Sequence, residues 1–144
     1  MKKIIYLVAV LGFVACQKPT THDYVSLSGK ISNLKVDTIS IYGNNRFHKK
    51  IAVNKDGSFK DTLTITDGYF AITYGKAQAY LTLKKGYELN ITADANDFEK
   101  SIAFTGDGAN TDNYLANKIR TQKEFGLDNL EAFFLLEKGD FDTK

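Results

Sequence analysis

The stretch of residues 68–93, GYFAITYGKAQAYLTLKKGYELNITA, decides the fold class. Apolar side chains alternate with other residues through three runs of this stretch, and two turns, at Gly75 with Lys76 and at residues 84–86 (KKG), separate the runs. An alternation with a period of two puts every second side chain on the same face of a strand. The stretch therefore predicts three short strands in succession, each with one face on a core.

The same alternation continues on both sides of this stretch. It predicts further strands around Val25, Leu27 and Ile31, around Ile39 and Ile41, around Phe47, Ile51 and Val53, around Phe59, Leu63 and Ile65, and around Ile102 and Phe104. Short strands about ten residues apart, joined by Gly and Asp turns, are typical of an antiparallel sandwich or barrel. We expect a mainly β protein built on an antiparallel β-sandwich of about eight strands.

Three local features of this pattern predict details of the sheets. Asp56 and Gly57 lie between two apolar runs and are the strongest short-range signal for a hairpin. Gly29 falls in the apolar register of its strand and is expected at a bulge or at a close approach of two backbones. Lys49 and Lys50 are expected at the margin of a sheet.

A short two-helix segment is predicted at the C-terminal end, where the period changes after Gly106. The first helix has apolar residues at helical spacing, a candidate cap and a stop: Tyr114, Leu115 and Ile119, then Asn110 or Thr111, and Gly126. The second has a capping-box-like pair, four apolar residues and a closing glycine: Asp128 and Glu131, then Leu130, Phe133, Phe134 and Leu136, and Gly139. These apolar residues need a partner, which is either an open end of the sandwich or a further part of a longer chain.

Residues 1–16, MKKIIYLVAVLGFVAC, have the layout of a signal peptide: two lysines, an apolar run and small residues before Cys16. The apolar run is shorter than the roughly 20 residues that a membrane-spanning helix needs. The ending FVAC resembles the lipobox of bacterial lipoproteins, in which the cysteine is acylated and becomes the first mature residue. That resemblance implies lipidation of Cys16, and the alternative is an ordinary secretory leader with a chance cysteine.

The expected organisation is a signal peptide over residues 1–15, a polar tether over 16–23, the sandwich over 24–106 and a helical connector or tail over 107–144. Gln17 follows the cysteine, where an aspartate holds lipoproteins of well-studied Gram-negative systems in the inner membrane. By that resemblance we expect a protein of the cell envelope, anchored in the outer membrane and facing the periplasm. The membrane is then its first partner, through the lipid anchor.

Composition excludes several classes of function. The chain has 144 residues, 43% of them hydrophobic and 25% charged, which is an ordinary one-domain composition. It has 19 Lys and Arg, two of them in the leader, against 17 Asp and Glu, so the mature chain is balanced and nucleic acid is not an expected partner. One Cys and two His exclude a disulfide framework, a four-ligand zinc site and a CxxC redox pair within this chain.

No catalytic, metal-binding or cofactor-binding residue is predicted. His22 lies in the tether and His48 in a strand, so both are expected on the surface. Two clusters of oxygen ligands are candidates for calcium: Asp94, Asn96 and Asp97, and then Asp107, Asn110 and Asp112. Both lack the glycine and the closing glutamate of a calcium loop, and turns and helix caps explain the same residues. Gly106 and Gly108 lack the rest of a phosphate-binding fingerprint, and no Ser or Cys stands in a nucleophile elbow.

Aromatic residues are the remaining candidate, with eight Tyr and ten Phe but no Trp. Tyr69, Tyr80 and Tyr87 are expected to project from an outer sheet face, where their rings can stack on sugars or peptides. The plainer alternative is that tyrosine is frequent in strands for reasons of propensity.

The order of these features resembles one known architecture. The lipobox leader is followed by GKIS at Gly29, NKDGSFKDTL at residues 54–63, FTGDG at residues 104–108 and a helix start at Asn113. Together they resemble the all-β N-terminal domain that precedes the thioredoxin domain in TlpA-like, membrane-anchored thiol-disulfide reductases of Bacteroidota. This chain departs from that family in having no CxxC motif and no thioredoxin-like region, so no catalytic residue is carried over.

We therefore expect a lipid-anchored β-sandwich lipoprotein that positions or docks a partner, either a thioredoxin domain or another envelope protein, and that is not itself an enzyme. One alternative is that the chain is part of a longer thiol-disulfide oxidoreductase whose CxxC domain lies beyond it. A weaker alternative is a lipoprotein that binds peptide or carbohydrate through its tyrosines.

Overall fold

Eight strands and a few helical turns make up the part of the chain, residues 22–127, that the computed structural model describes. The predicted signal peptide, Cys16 and the second predicted helix lie outside these residues. The elements are β1 (Val25–Ser32), β2 (Thr38–Gly43), β3 (His48–Ala52), β4 (Ser58–Leu63), β5 (Gly68–Tyr74), β6 (Ala77–Leu83), β7 (Glu88–Asp94), a 3-10 turn (Ala95–Asp97), α1 (Phe98–Ser101), β8 (Ala103–Gly106) and α2 (Ala109–Glu124).

The strands form two four-stranded sheets, with the orders β4-β1-β7-β8 and β3-β2-β5-β6. The inward positions of both sheets share one apolar core, as the alternation predicts. The largest fully buried side chains are Leu27, Ile31, Ile39, Ile41, Ile51, Leu63, Ile72, Leu81, Leu83, Leu89, Ile91 and Ile102. Each contributes roughly 1.5–3 kcal/mol by leaving water, which is enough to hold two sheets together. The predicted mainly β, sandwich-like fold is confirmed.

One strand pairing departs from the predicted antiparallel arrangement. β1 and β7 run parallel, with Leu27 opposite Leu89 and Ile31 opposite Ala93, whereas the other five pairings described within residues 22–127 are antiparallel. A parallel pair needs a long crossover connection. Here the five strands between β1 and β7 supply it. The chain passes through β2 and β3 of the other sheet, returns to β4 on one side of β1, crosses again to β5 and β6, and reaches the other side of β1 as β7.

The hairpin predicted at Asp56 and Gly57 is also wrong, although a turn forms there. Gly57 has φ +82°, and the Asp56 carboxylate accepts hydrogen bonds from the backbone and hydroxyl of Ser58. However, β3 and β4 belong to different sheets, so the turn is a corner between them. The Gly57 carbonyl accepts a hydrogen bond from Ile31 N, and a Cβ on Gly57 would collide with the Ile31 carbonyl. Asp56 and Gly57 determine that the chain reverses direction here, whereas the pairing with β1 determines which sheet β4 joins.

Two other local expectations are confirmed. A Cβ on Gly29 would collide with the Ile91 carbonyl and the Phe59 ring, so this glycine marks a close approach of backbones. Lys49 and Lys50 lie on β3, which is the edge strand of its sheet.

The first predicted helix exists as α2, but its cap was misplaced. Gly108, with φ +76°, is the N-cap, and Asn110 and Thr111 lie inside the first turn. The stop at Gly126 is close to the observed end, since α2 ends at Glu124 and Gly126 has φ +67°. The short α1 was not predicted, because its four residues are too few to establish a helical period. Among the residues described, no helix is long and apolar enough to cross a membrane.

Candidate binding face

Three tyrosines stand on the outer face of the sheet β3-β2-β5-β6. Because alternate residues of a strand point to opposite faces, the buried Ile41, Phe70 and Leu81 put their neighbours on the outside. Tyr42, Tyr69 and Tyr80 are 45%, 67% and 43% exposed, respectively. An aromatic side chain that gives up this little of its surface to the fold is available to a ligand.

Strand register arranges these residues in a row across the sheet. Tyr42 pairs with His48 on one side and with Ala71 on the other, and Ala71 pairs in turn with Tyr80. Tyr69 lies two residues from Ala71 along β5 and therefore on the same face. We call these five residues, Tyr42, His48, Tyr69, Ala71 and Tyr80, the aromatic face.

Contacts within the aromatic face hold its outer members in place. The rings of Tyr42 and His48 stack with centroids 4.4 Å apart and planes 4° from parallel, and His48 Nε2 lies 3.5 Å from Ser40 Oγ. The Tyr80 hydroxyl accepts a hydrogen bond of 3.1 Å from Gln78 Nε2. Side chains that are fixed before binding lose less conformational freedom when a ligand arrives.

A shallow cavity of about 230 Å³ opens on this face. Its walls are Tyr42, Gly43, Tyr69, Phe70, Ala71 and Tyr80. Pockets that enclose a whole drug-sized ligand measure about 300–1,000 Å³, so this cavity is suited to one ring of a larger ligand.

The predicted set of exposed tyrosines is right for two members and wrong for the third. Tyr69 and Tyr80 project outward, whereas Tyr87 packs against the core. A Cβ on Gly108 would approach the Tyr87 ring closely, because that ring fills the corner before β7. Tyr42 takes its place on the face. The alternation of Ile39, Ile41 and Tyr42 carried the signal, since it puts the tyrosine opposite the two buried isoleucines.

The outer face of the other sheet has a different chemistry. Its outward strand positions within residues 22–127 carry small, polar or charged side chains and no aromatic ring: Ser26, Ser28, Lys30, Ser32, Ser58, Lys60, Thr62, Glu88, Asn90, Thr92, Asp94, Ala103 and Thr105. Ser28 and Asn90 there bond to each other, with Asn90 Nδ2 donating to Ser28 Oγ at 3.1 Å. If propensity alone placed tyrosine on strands, both outer faces would be expected to carry it. The concentration on one face favours a binding role.

The acidic residues considered for calcium have structural partners. The Asp94 carboxylate accepts hydrogen bonds from Asn33 Nδ2 and from Asn96 N, where it caps the 3-10 turn, and these bonds lower the pKa of its carboxyl. The interpretation as a cap is confirmed for Asp94. Asp107 instead accepts a hydrogen bond from Glu88 N at the start of β7, which is a link to another strand and not a local turn or cap. Within residues 22–127, no three His, Cys, Asp or Glu side chains are grouped so that they could hold a metal ion.

Asp112, the last of those candidates, is the one polar or charged residue fully buried in the described core. Its Oδ1 accepts hydrogen bonds from Thr82 N at 2.8 Å and Thr82 Oγ1 at 2.7 Å, while its buried Oδ2 has no hydrogen-bond partner. Burial raises the pKa of this carboxyl. Sequence reasoning missed this role, which joins α2 to β6. The periodicity of α2 could have indicated an inward position, since Asp112 precedes the buried Ala116 by four residues.

The two histidines lie in different surroundings. His48 is exposed, as expected, and His22 is half-buried with its ring stacked on Tyr24 at a centroid distance of 4.9 Å. A cavity of about 550 Å³ lies between α1 and α2, and three of the charged residues that line it are engaged in bonds within the fold. Lys123 pairs there with Glu99, and Arg120 donates to the carbonyls of Glu99 and Ile102.

No protein-family model matches this chain, and no curated protein is significantly similar to it.

Proposed function

We propose that this protein is a lipid-anchored docking module of the bacterial cell envelope, which presents its aromatic face to a partner. The observation that carries the docking role is the row of exposed rings on one sheet, which the other outer face lacks. The lipobox-like ending at Cys16 supports the anchor. The anchor restricts where the face can work, and the sandwich supplies a rigid support for it.

The tether sets the distance between anchor and face. Cys16 and Val25, the first residue of β1, are nine residues apart, which is at most about 30 Å of extended chain. A sandwich so placed stays close to the membrane surface. The partner is therefore a component of that surface or of the layer next to it, and by the resemblance at Gln17 this is the periplasmic side of the outer membrane.

The docking role is tested by crosslinking in living cells. A photoreactive amino acid replaces Ala71, in the centre of the aromatic face, and in a matched variant it replaces Ser28, in the centre of the other outer face. We expect adducts from position 71 and at least five-fold fewer from position 28. Equal adducts from the two positions, or none from either, would contradict the proposal.

The intact mass of the protein extracted from membranes tests the anchor. We expect acyl chains on Cys16 as the first residue, and a Cys16→Ser variant that leaves the membrane fraction. A polypeptide larger by on the order of a hundred residues would instead favour the longer thiol-disulfide reductase of the family resemblance. That parent protein would then be expected to reduce insulin disulfides, whereas this chain without a dithiol would not.

A further inference from the structure

We infer that the ligand of the aromatic face is a neutral glycan, one sugar ring of which lies between Tyr42 and Tyr80 above Ala71. The inference rests on the proposed docking role of this face and adds the chemical class of the ligand. We call the space between the rings of Tyr42 and Tyr80, above Ala71, the slot. The inference is based on the width of the slot, the orientation of the Tyr42 ring and the charge of the surrounding surface.

The slot has the width of one ring. Tyr42 and Tyr80 both pair with Ala71, one from each neighbouring strand, so their backbones are two strand spacings apart. At about 4.8 Å for each spacing, the separation is about 9.6 Å. A ring in van der Waals contact with an aromatic face on either side needs about 7–8 Å between those faces. The methyl group of Ala71 leaves this space open, which a larger side chain would fill.

The Tyr42 ring, which forms one wall of the slot, is oriented with one of its faces toward the slot. Tyr42 stacks face to face on His48, its neighbour across the strands, with an interplanar angle of 4°. The opposite face of the Tyr42 ring is consequently turned toward β5 and Ala71. The C–H faces of a sugar ring stack on such an exposed aromatic face, while its hydroxyls remain free at the rim.

The surroundings suit hydroxyl groups and not ions. Among the described outward positions of the four strands of this sheet, Lys50 is the only Lys, Arg, Asp or Glu, whereas the other outer face carries Lys30, Lys60, Glu88 and Asp94. Ser40, Thr73 and Gln78 lie in one cross-strand row next to the slot and offer uncharged donors and acceptors. An acidic ligand would meet a single cation here, and a basic ligand would meet no carboxylate. A neutral, polyhydroxylated ligand matches this surface.

At the β6 edge of this sheet, Thr82 N is bonded to Asp112 and is not available to an added strand. At the β3 edge, Lys49 is bonded to the Asp61 carboxylate and the Thr62 carbonyl of β4, and an inward charge on an edge strand resists pairing with another strand. A peptide is therefore expected to bind across the tyrosines and not as an added strand. For this reason the observations favour the glycan over the peptide.

An NMR titration of the purified full chain in detergent micelles tests the inference. The probes are chitotetraose and cellotetraose as neutral glycans, a galacturonic acid tetramer as an acidic glycan, and a neutral peptide rich in proline. We expect a saturable shift of the Ala71 methyl resonance with at least one neutral tetramer and none with the acidic tetramer. Absence of a shift with both neutral tetramers, or binding of the peptide or the acidic tetramer instead, would overturn the inference.

Variants separate ligand binding from folding. Ala71→Tyr fills the slot with a residue that strands favour, so it should weaken glycan binding at least ten-fold without lowering the melting temperature. Ser28→Ala on the other outer face is the matched control and should bind as the parent does. Unchanged glycan affinity of Ala71→Tyr would overturn the inference. If crosslinks form at position 71 in cells but neither neutral tetramer binds, the docking role stands and the glycan falls. If a neutral tetramer binds but no crosslinks form, the glycan site stands and the docking role in the cell envelope falls.

Discussion

The sandwich has two sides at which the edge strands of its two sheets lie next to each other, and these two sides are covered in different ways. On one, which we call the helix-covered side, α2 lies along the edge strands β6 and β8 and buries Ala109 and Ala116 against the core. On the other, the ion-pair side, the edge strands β3 and β4 are joined by Lys49, which contacts the Asp61 carboxylate and the Thr62 carbonyl at 2.8 and 2.7 Å. A strand edge exposes unpaired backbone groups that invite association, and each side deals with them by a different device.

On the helix-covered side, polar side chains of α2 replace the missing strand. Asp112 accepts the Thr82 N–H of β6, and Asn113 makes a two-point contact with Phe104 of β8. Arg120 donates to the Ile102 carbonyl just before β8. The ion-pair side relies on charges at inward-facing positions of edge strands, which resist pairing with another chain. The first device stabilises the fold, and the second mainly prevents association.

Replacement of Asn113 should give the largest effect. Its Oδ1 accepts from Phe104 N at 3.0 Å and its Nδ2 donates to the Phe104 carbonyl at 2.8 Å. Asn113→Ala leaves both backbone groups without partners beneath the helix, so we expect a loss of about 2 kcal/mol in the free energy of unfolding. Urea unfolding measures it. Asn110→Ala, at an exposed position of the same helix, is the control and should change stability by a few tenths of a kcal/mol at most. Equal effects of the two substitutions would contradict the assigned role of Asn113.

Sequence alone anticipated the ion-pair side better than the helix-covered side. The strands, their buried residues and the edge position of Lys49 and Lys50 follow from a period of two, which is a local pattern. The bond between Asp112 and Thr82 joins residues 30 positions apart, and no local pattern encodes it. The hairpin expected at Asp56 failed for the same reason, because the choice between sheets depends on contacts with the distant β1.

The aromatic face could be predicted only in part, because alternation within a strand is a local pattern and pairing between strands is not. Tyr69 and Tyr80 were found because an outward position follows from alternation within a strand. Tyr87 was misassigned although it lies two residues before the buried Leu89, so that the alternation of β7, extended by one residue, already predicts an inward position. The row through Tyr42, Ala71 and Tyr80 required the pairing register, which sequence periodicity does not give.

A smaller effect is expected on the ion-pair side. Lys49 and Asp61 are about one-third exposed, and pairs of this kind contribute about 0.2–1 kcal/mol to the free energy of unfolding. Lys49→Met should therefore lower the free energy of unfolding by no more than about 1 kcal/mol, while it increases self-association because an inward charge leaves the edge. Unfolding and sedimentation velocity measure the two effects, with Lys60→Met on an outer face as control. The assigned roles would be wrong if the Lys49→Met protein stayed monomeric and lost as much free energy of unfolding as Asn113→Ala. The ion-pair side would then stabilise the fold and would not be needed to prevent association.

The smallest effect is a pH dependence confined to the helix-covered side. Burial raises the pKa of Asp112 above its ordinary value of 3.8, so the folded state binds a proton more tightly than the unfolded chain does. The contribution of Asp112 to stability is therefore greatest below pH 3.8 and decreases as the pH rises through the folded pKa.

Asp112→Asn keeps an oxygen for Thr82 and places an uncharged group where the unpartnered Oδ2 lies, so it mimics the protonated acid at every pH. The difference in unfolding free energy between parent and variant cancels the contributions of Asp56 and Asp94, whose pKa values are lowered by hydrogen bonds. We expect this difference to shift in favour of the asparagine variant as the pH rises from 3.5 toward neutrality, since ionisation then costs the parent alone. Parallel stability curves for the two proteins would mean that folding does not change the pKa of the Asp112 carboxyl, and would contradict the expected effect of burial on that pKa.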